Sequence, residues 1–460
     1  MQDYRKIAVI DVGKTNAKVT LFDMHAGREL DSLTCPNEVV RTGPYPHHDT
    51  ERMWAFMLDS LAKIAATVTV DAIAITAHGG SITLIDAHGD LAMPMLDYEY
   101  DGPDSVATAY DAIRPDFSET GSPRLATGLN VGAQLFWQMK AFPEDFARVT
   151  SIMPYPQYWS LRLTGVRATE VTSLGAHTDL WNPWRHDYSS LVDKLDWRRL
   201  MPPMASAFDV LGTIKPDIAA KTGLSPETPV FAGLHDSNAS LLAHLKARRA
   251  PFSVVSTGTW VICFSVGGRT VELDEARDTL VNVNAYGDPV PSARFMGGRA
   301  FQVLKADAKA DISDADRDAV LDGGVMLLPA VPEESGPFTG RKGGWVGDPA
   351  LLTPGAYLYA VSLYLGMMTG TSLDLIGADG PVIVEGPFAA NRTFLETLRH
   401  MSGRDIVTGG AGLTGTSSGA TCVALGRDAM IATDARFVPL DPDPRLGTYV
   451  AAWQDATRRA

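Results

Sequence analysis

Four short stretches combine acids, hydroxyls and glycines in ways that can do phosphate chemistry. The first is Asp11-Val-Gly-Lys-Thr15, where an acid ends an apolar run and a glycine turn follows. A carboxylate so placed can hold Mg²⁺ through water. The turn around Gly13, Lys14, Thr15 and Asn16 can face phosphate oxygens with its N–H groups and the Thr15 hydroxyl. An aspartate acting only as a turn former reads the same in isolation. The second stretch is Ser256-Thr-Gly-Thr259. Thr257, Gly258 and Thr259 can grip β- and γ-phosphates, or their hydroxyls can simply satisfy turn N–H groups. The third, Gly233-Leu-His-Asp236, sets Asp236 where a strand gives way to a helix. A carboxylate there can take the proton of a hydroxyl as its oxygen attacks phosphorus; the structural alternative is a helix N-cap. The fourth is Glu385-Gly-Pro-Phe-Ala-Ala-Asn391. Gly386 allows close approach, Phe388 supplies an apolar wall and Asn391 a polar contact, which suits a nucleoside; Asn391 can equally be an N-cap.

Two further glycine patterns are decoys. Gly13-Lys14-Thr15 ends like a Walker A loop, but Ala8 stands where that loop needs its first glycine, and a strand follows instead of a helix. Gly410-Ala-Gly412-Leu-Thr-Gly415 matches G-x-G-x-x-G but lies late in the chain and opens no βαβ unit, so it is not read as a dinucleotide site.

The elements that must carry these stretches show an internal echo. Residues 7–22 and 252–265 both read as strand, tight Gly-x-Thr turn, strand, with β-branched and aromatic flanks. Residues 71–76, 82–86, 229–233, 325–329 and 381–385 also read as strands. Helices are expected over about 51–67, 237–246, 355–376, 391–402 and 416–426 from apolar spacing. Residues 100–230 read as helical and loop-like, rich in aromatics. Strands alternating with helices predict an α/β protein with helix-covered sheets. The polar stretch 246–251, ending in Pro251, sets a boundary between domains 1–246 and 247–460.

Composition narrows the function classes. Of the 460 residues 45% are hydrophobic and 20% charged, a globular balance, and the net charge of −14 argues against a nucleic-acid partner. Cys35, Cys263 and Cys422 are scattered and odd in number, so neither a disulfide framework nor a zinc site is expected. The start of the chain carries no apolar signal region, and no run reaches the roughly 20 apolar residues of a membrane span. Residues 358–376 come nearest and read as a buried helix. A cytoplasmic location follows as the expectation.

Taken in order, the stretches resemble the FGGY family of carbohydrate kinases over roughly residues 6–435. The first and second phosphate motifs match residues 11–15 and 256–259, the catalytic-acid strand 233–236 and the adenosine motif 386–391. Ala77-His78-Gly79, Leu96-Asp-Tyr-Glu99 and Pro156-Gln157-Tyr158-Trp159 match the sugar-binding turns and helix; residues 295–298 and 328–332 also fall in family order. The resemblance implies two actin- and hexokinase-like (ribonuclease H-like) domains with a cleft between them. It also implies ATP as co-substrate and Mg²⁺ held through Asp11. Asp236 would be the general base, and His78, Gly79, Glu99, Gln157, His235 and Asp236 would surround the sugar. Departures gather at the sugar site: His78-Gly79, Glu99 with Asp101, and Gln157 replace residues common in the family, and the adenosine motif begins Glu-Gly-Pro. The sugar turns look most like those of kinases for L-fuculose- and L-rhamnulose-type ketoses, phosphorylated at O1. A pentulose or polyol kinase, a non-catalytic sugar or nucleotide sensor, and an Hsp70- or actin-like ATPase are the alternatives. Trp181 and Trp184 are candidates for a homodimer interface.

Overall fold

In a computed structural model of the chain, residues 4–305, 311–409, 415–433, 435–440 and 443–459 are described. The G-x-G-x-x-G match at 410–415 lies outside the described residues except for its last glycine. The chain divides into two compact units. The first comprises 1–248 with 281–289 and 411–433, and the second 249–280, 290–410 and 434–460.

In the first unit, the apolar run before Asp11 forms β1 (Lys6–Val12), which turns into β2 (Asn16–Asp23) and β3 (Arg28–Pro36). Helix α1 (Thr50–Ala65) starts where the Asp49 side chain accepts the Arg52 N–H, and it buries Met53, Met57, Leu58, Leu61 and Ile64, one helical face. Then come β4 (Ala72–Ala77), α2 (Tyr155–Thr164), β5 (Val210–Thr213), β6 (Pro229–Phe231), β7 (Leu234–His235) and α3 (Asp236–Ala247). The sheet runs β5-β6-β4-β1-β2-β3, with β7 also on β4. β1 to β3 form an antiparallel meander, and β4 is parallel to β1 and to β7. Asp11 pairs in register with Thr76, and Thr76 with Leu234.

Two late segments complete this unit. Helix Thr416–Thr421 packs on α3 so tightly that a Cβ on Gly419 would stand 2.1 Å from the Ala239 carbonyl oxygen. Lys246, expected in a polar linker, is buried, and its ammonium donates to the Gly426 and Arg427 carbonyls, 2.5 and 2.7 Å away. Val281 and Val283 fill the space that glycine leaves at Gly121 and Gly175. These contacts join residues distant in sequence, so local patterning carries no sign of them. Trp181 is buried against Tyr188, whereas Trp184 is 51% exposed.

The second unit repeats the design. Its sheet begins with β8 (Phe252–Thr257) and β9 (Val261–Val266), then β10 (Thr279–Val283, of which 281–283 count with the first unit) and β11 (Pro289–Phe295), followed by α4 (Gly297–Lys305) and the 22-residue α5 (Pro354–Leu375). Then follow β12 (Val382–Glu385), α6 (Arg392–Ser402), β13 (Ile406–Thr408), β14 (Arg436–Phe437) and α7 (Arg445–Arg459). The order is β10-β11-β9-β8-β12-β13-β14. Again an antiparallel run (β11, β9, β8) meets parallel strands (β8, β12, β13). The echo between the two hairpins is thus an echo of whole sheets. Among the described residues no helix is long and apolar enough to cross a membrane.

α5 is buried nearly all round and meets α6 through Gly366, where a Cβ would lie 2.6 Å from that of Thr397. Ordinarily alanine is the better helix former by about 1 kcal/mol. Here overpacking wins, and Gly366→Ala is expected to cost about 1–3 kcal/mol, read as a lower urea midpoint.

Candidate active site

Three parallel strands end side by side, and each end carries a side chain able to do chemistry. β1 delivers Asp11, the end of β4 delivers His78, whose N–H bonds the Val12 carbonyl at 2.9 Å, and β7 delivers His235 and Asp236. Asp11 is half-buried and accepts a 2.8 Å hydrogen bond from the Ser417 hydroxyl. Desolvation pushes its pKa up to about 6. Ser417 works against that shift, while the negative charge of Asp236 adds to it. Asp236 opens α3, accepts the Ser237 N–H at 2.6 Å and is likewise raised by desolvation, with His78 opposing. The N-cap of α3 is His235, with no side-chain capping bond, and Asp236 is the first helical residue, where a negative charge suits the helix dipole.

The strand end is held from behind. Gly233 sits at φ +86°, a conformation for which glycine is favoured. The Gln157 amide on α2 donates to the Ala232 and Gly233 carbonyls at 3.0 and 2.9 Å, and its Oε1 is buried without a partner. Both ring nitrogens of His235 have polar neighbours. Asn238 donates to Nδ1 at 3.2 Å, which makes Nε2 the N–H that faces Asp236 Oδ1, also at 3.2 Å. Burial lowers its pKa to about 4, so the ring is neutral. The ring thus lies beside Asp236, with Nε2 on the side of its carboxylate. Gly79 lies beneath that ring, where a Cβ would come within 2.5 Å of Nε2, so glycine serves packing here. Below the strand end, Glu170 is fully buried. Its Oε2 accepts the Thr172 N–H at 3.0 Å and the Thr172 hydroxyl, and Thr172 Oγ1 accepts the His235 N–H at 2.9 Å.

His78 is buried, and desolvation lowers its pKa to about 4 despite Asp236. Nδ1 lies 3.1 Å from the Gly79 carbonyl, so it carries the hydrogen, and Nε2 is an acceptor without a partner. His48, absent from the sequence expectation, lies 5.2 Å from His78 with the rings tilted at 45° and both its nitrogens unpartnered, and Tyr98 and Tyr155 close the ring cluster. Lys14 is bonded to Asp97, lies 3.7 Å from Glu99 and sits over the Tyr98 ring at 4.9 Å. Its ammonium, expected on phosphate, is turned to the 97–99 segment. Thr15 and Asn16 are exposed beside it, and Asn37 braces Gly13 by a 2.9 Å bond to its carbonyl. Asp97, His48 and Ser417 escaped sequence reading; only Asp97 had a signal, its place inside the quoted Leu96–Glu99 motif.

In the second unit the Thr257 hydroxyl is committed: it donates to the Glu385 carbonyl and accepts the Phe388 N–H at 3.1 Å. A Cβ on Gly386 would lie 1.9 Å from the Thr257 carbonyl oxygen, and one on Gly298 1.8 Å from that of Gly258. Gly258 and Thr259 remain exposed at the turn. Asn391 does cap α6, accepting the Phe394 N–H at 3.0 Å, while its amide donates to Ser362. It also lines a cavity of about 510 Å³ with Phe301, Leu358, Arg317 and Arg392; Phe388 backs this wall, 5.6 Å from Phe301.

Residues 6–243 match the model of the FGGY family of carbohydrate kinases, N-terminal domain, and 249–433 that of the carbohydrate kinase FGGY C-terminal domain. A carbohydrate kinase from Novosphingobium aromaticivorans has a solved structure that superposes with a TM-score of 0.90 at 36% identity, each chain covered in full. The L-fuculokinase of Salmonella typhi is 24% identical over 271 residues, covering 57% of each chain. The xylulose kinase of Escherichia coli is 23% identical over 259 residues, 55% of this chain and 53% of that one. The match thus spans little more than half the length of these curated relatives. Two sheets of the actin- and hexokinase-like kind agree with these likenesses.

Glu170 offers a test of the buried layer. Burial pushes its carboxyl up to about 8, above the value of the unfolded chain, so the folded state keeps a proton that the unfolded state releases. Its contribution is complete below about pH 4.5 and is lost as pH rises through about 8. Glu170→Gln should flatten this decline, so that thermal melts between pH 5 and 8 fall less for the variant than for the parent chain.

Proposed function

Because the chain belongs to the FGGY family of carbohydrate kinases, we propose that it transfers the γ-phosphoryl group of ATP to a primary hydroxyl of a small ketose, O1 of a sugar of the L-fuculose or L-rhamnulose type. The supporting observation is the set of buried polar atoms without partners around Asp236: His78 Nε2, Gln157 Oε1, Asn238 Oδ1 and both His48 nitrogens. These side chains gather buried polar atoms at one strand edge, a lining suited to the hydroxyls of a sugar. His78 Nε2 and Gln157 Oε1 are acceptors and suit donating sugar O–H groups. Tyr98, between Asp97 and Glu99, sets its ring 5.7 Å from that of His78.

Asp236 is the general base. Its desolvated carboxylate has a raised proton affinity, and the neutral His235 N–H fixes its orientation. It receives the substrate proton as the oxygen attacks phosphorus; phosphoryl transfer otherwise asks for positioning and charge stabilisation. In the first unit the backbone at Gly13 to Asn16 offers N–H groups suited to phosphate oxygens; in the second unit the exposed turn at Gly258 and Thr259 offers the same. Adenosine occupies the 510 Å³ cavity of the second unit, between Asn391 and the wall that Phe388 backs.

Mg²⁺ fits the donor set. Among the described residues no group of three or more His, Cys, Asp or Glu side chains forms a protein cage. Mg²⁺ instead takes one or two carboxylates and completes its shell with phosphate oxygens and water. Asp11 would hold the ion through water: desolvated and repelled by Asp236, it would gain from a cation beside it. The ion would neutralise phosphate charge. Similarity to a xylulose kinase as well as to an L-fuculokinase favours a pentulose as the second reading. One methyl group in an apolar pocket discriminates by only about 1–3 kcal/mol, whereas hydroxyls met by buried acceptors discriminate more.

Asp236→Asn should lose about 10²–10⁴-fold in kcat while binding ATP as before. Full turnover in that variant would sink the base assignment. An ATP-coupled screen of ketoses, aldoses and polyols, with the phosphorylated position determined, should single out a ketose; turnover of aldoses or polyols alone would overturn the ketose reading.

A further inference from the structure

The second unit holds another cavity, of about 380 Å³, that contains none of the residues assigned to ATP or sugar. Its floor and walls are apolar: Phe338, Leu375, Met401 and the buried Trp453. Set into that surface are Arg277 and Arg341. Their guanidinium groups lie 5.7 and 5.6 Å from the Phe338 ring, each anchored to a backbone carbonyl, of Pro337 and Thr457 respectively. Such anchoring leaves the remaining N–H donors of each fork for another partner, and among the described residues neither arginine pairs with a carboxylate. Arg458 adds a third guanidinium at the rim, paired with Asp455.

Asp374 is the single acid among the lining residues, and Arg404 and Arg269 lie close enough to act on its charge. A second observation also points to a ligand. Thr457, 3% exposed and part of the lining, has its hydroxyl buried without a hydrogen-bond partner. Arg277 is half-buried and Arg341 exposed, and two guanidinium groups held beside one aromatic ring have the donor geometry that binds anions. The volume lies at the small end of ligand pockets, which span about 300–1,000 Å³.

We infer that this cavity is a second small-molecule site, which takes a carboxylate or phosphate group carried on an apolar or aromatic body. The anion meets Arg277, Arg341 and the Thr457 hydroxyl, and the body lies against Phe338, Met401 and Trp453. Sugars and ATP, polar along their length, match this lining poorly.

The test is titration of the full chain with phenyl phosphate, followed by calorimetry and by the Trp453 indole N–H resonance, assigned through Trp453→Phe. Binding should saturate at one equivalent, shift that resonance and persist under saturating ADP. Arg277→Met and Arg341→Met should each weaken it at least tenfold; phenol should bind at least tenfold more weakly than phenyl phosphate. Should either methionine variant fail to melt cooperatively, Arg341→Lys replaces it, with an intermediate loss expected because the charge stays and the fork goes. Absence of saturable binding, displacement by ADP, an unmoved Trp453 resonance or unaltered affinity in the arginine variants would each overturn the site.

Discussion

The register that pairs Asp11 with Thr76, and Thr76 with Leu234, governs everything at the candidate active site. Parallel neighbours must end on the same edge of a sheet, so three strand ends far apart in sequence meet there. A slip of one residue in any of them would turn its terminal acid or histidine to the opposite face. The antiparallel meander on one flank and α2 on the other lock that register, and the Gln157 amide ties the last strand end to α2 through two carbonyls. Chemistry here is therefore a product of strand pairing before it is a product of side-chain choice.

Electrostatics follow from the same crowding. Two carboxylates share a desolvated edge, which raises the proton affinity of both, while two buried imidazoles beside them are driven neutral. A set of neutral acceptors next to a strained pair of acids suits hydroxyl groups and a cation better than it suits another anion. Lys14 fits that logic: bonded to Asp97 and near Glu99, it discharges the neighbouring turn.

Much of this was legible in the residues. The apolar runs before Asp11 and Ser256, each followed by a glycine turn, announced two hairpins, and both lie at the centre of matching sheets. Asp236 stood out because a strand pattern ended where a helix pattern began. What stayed hidden depends on long-range contact. Ser417 reaches Asp11 across a sequence separation of 406, and no local pattern encodes such a partner. Lys246 looked like linker polarity, yet its ammonium is buried against two carbonyls of a returning segment. Thr257 and Asn391 show the reverse: their side chains are occupied in joining and capping elements, so their part in any nucleotide contact falls to the backbone or to position alone.

The turn at residues 257–259 is wedged between Gly298 and Gly386, whose absent side chains let main chain touch main chain. Neither flank can be decorated without displacing the turn, so no point substitution there can fine-tune how the hairpin presents its amides. The histidine- and amide-lined edge of the other unit is built the opposite way, from side chains. Under the proposed function, the acceptor side is open to change by side-chain substitution, while the donor side rests on backbone geometry.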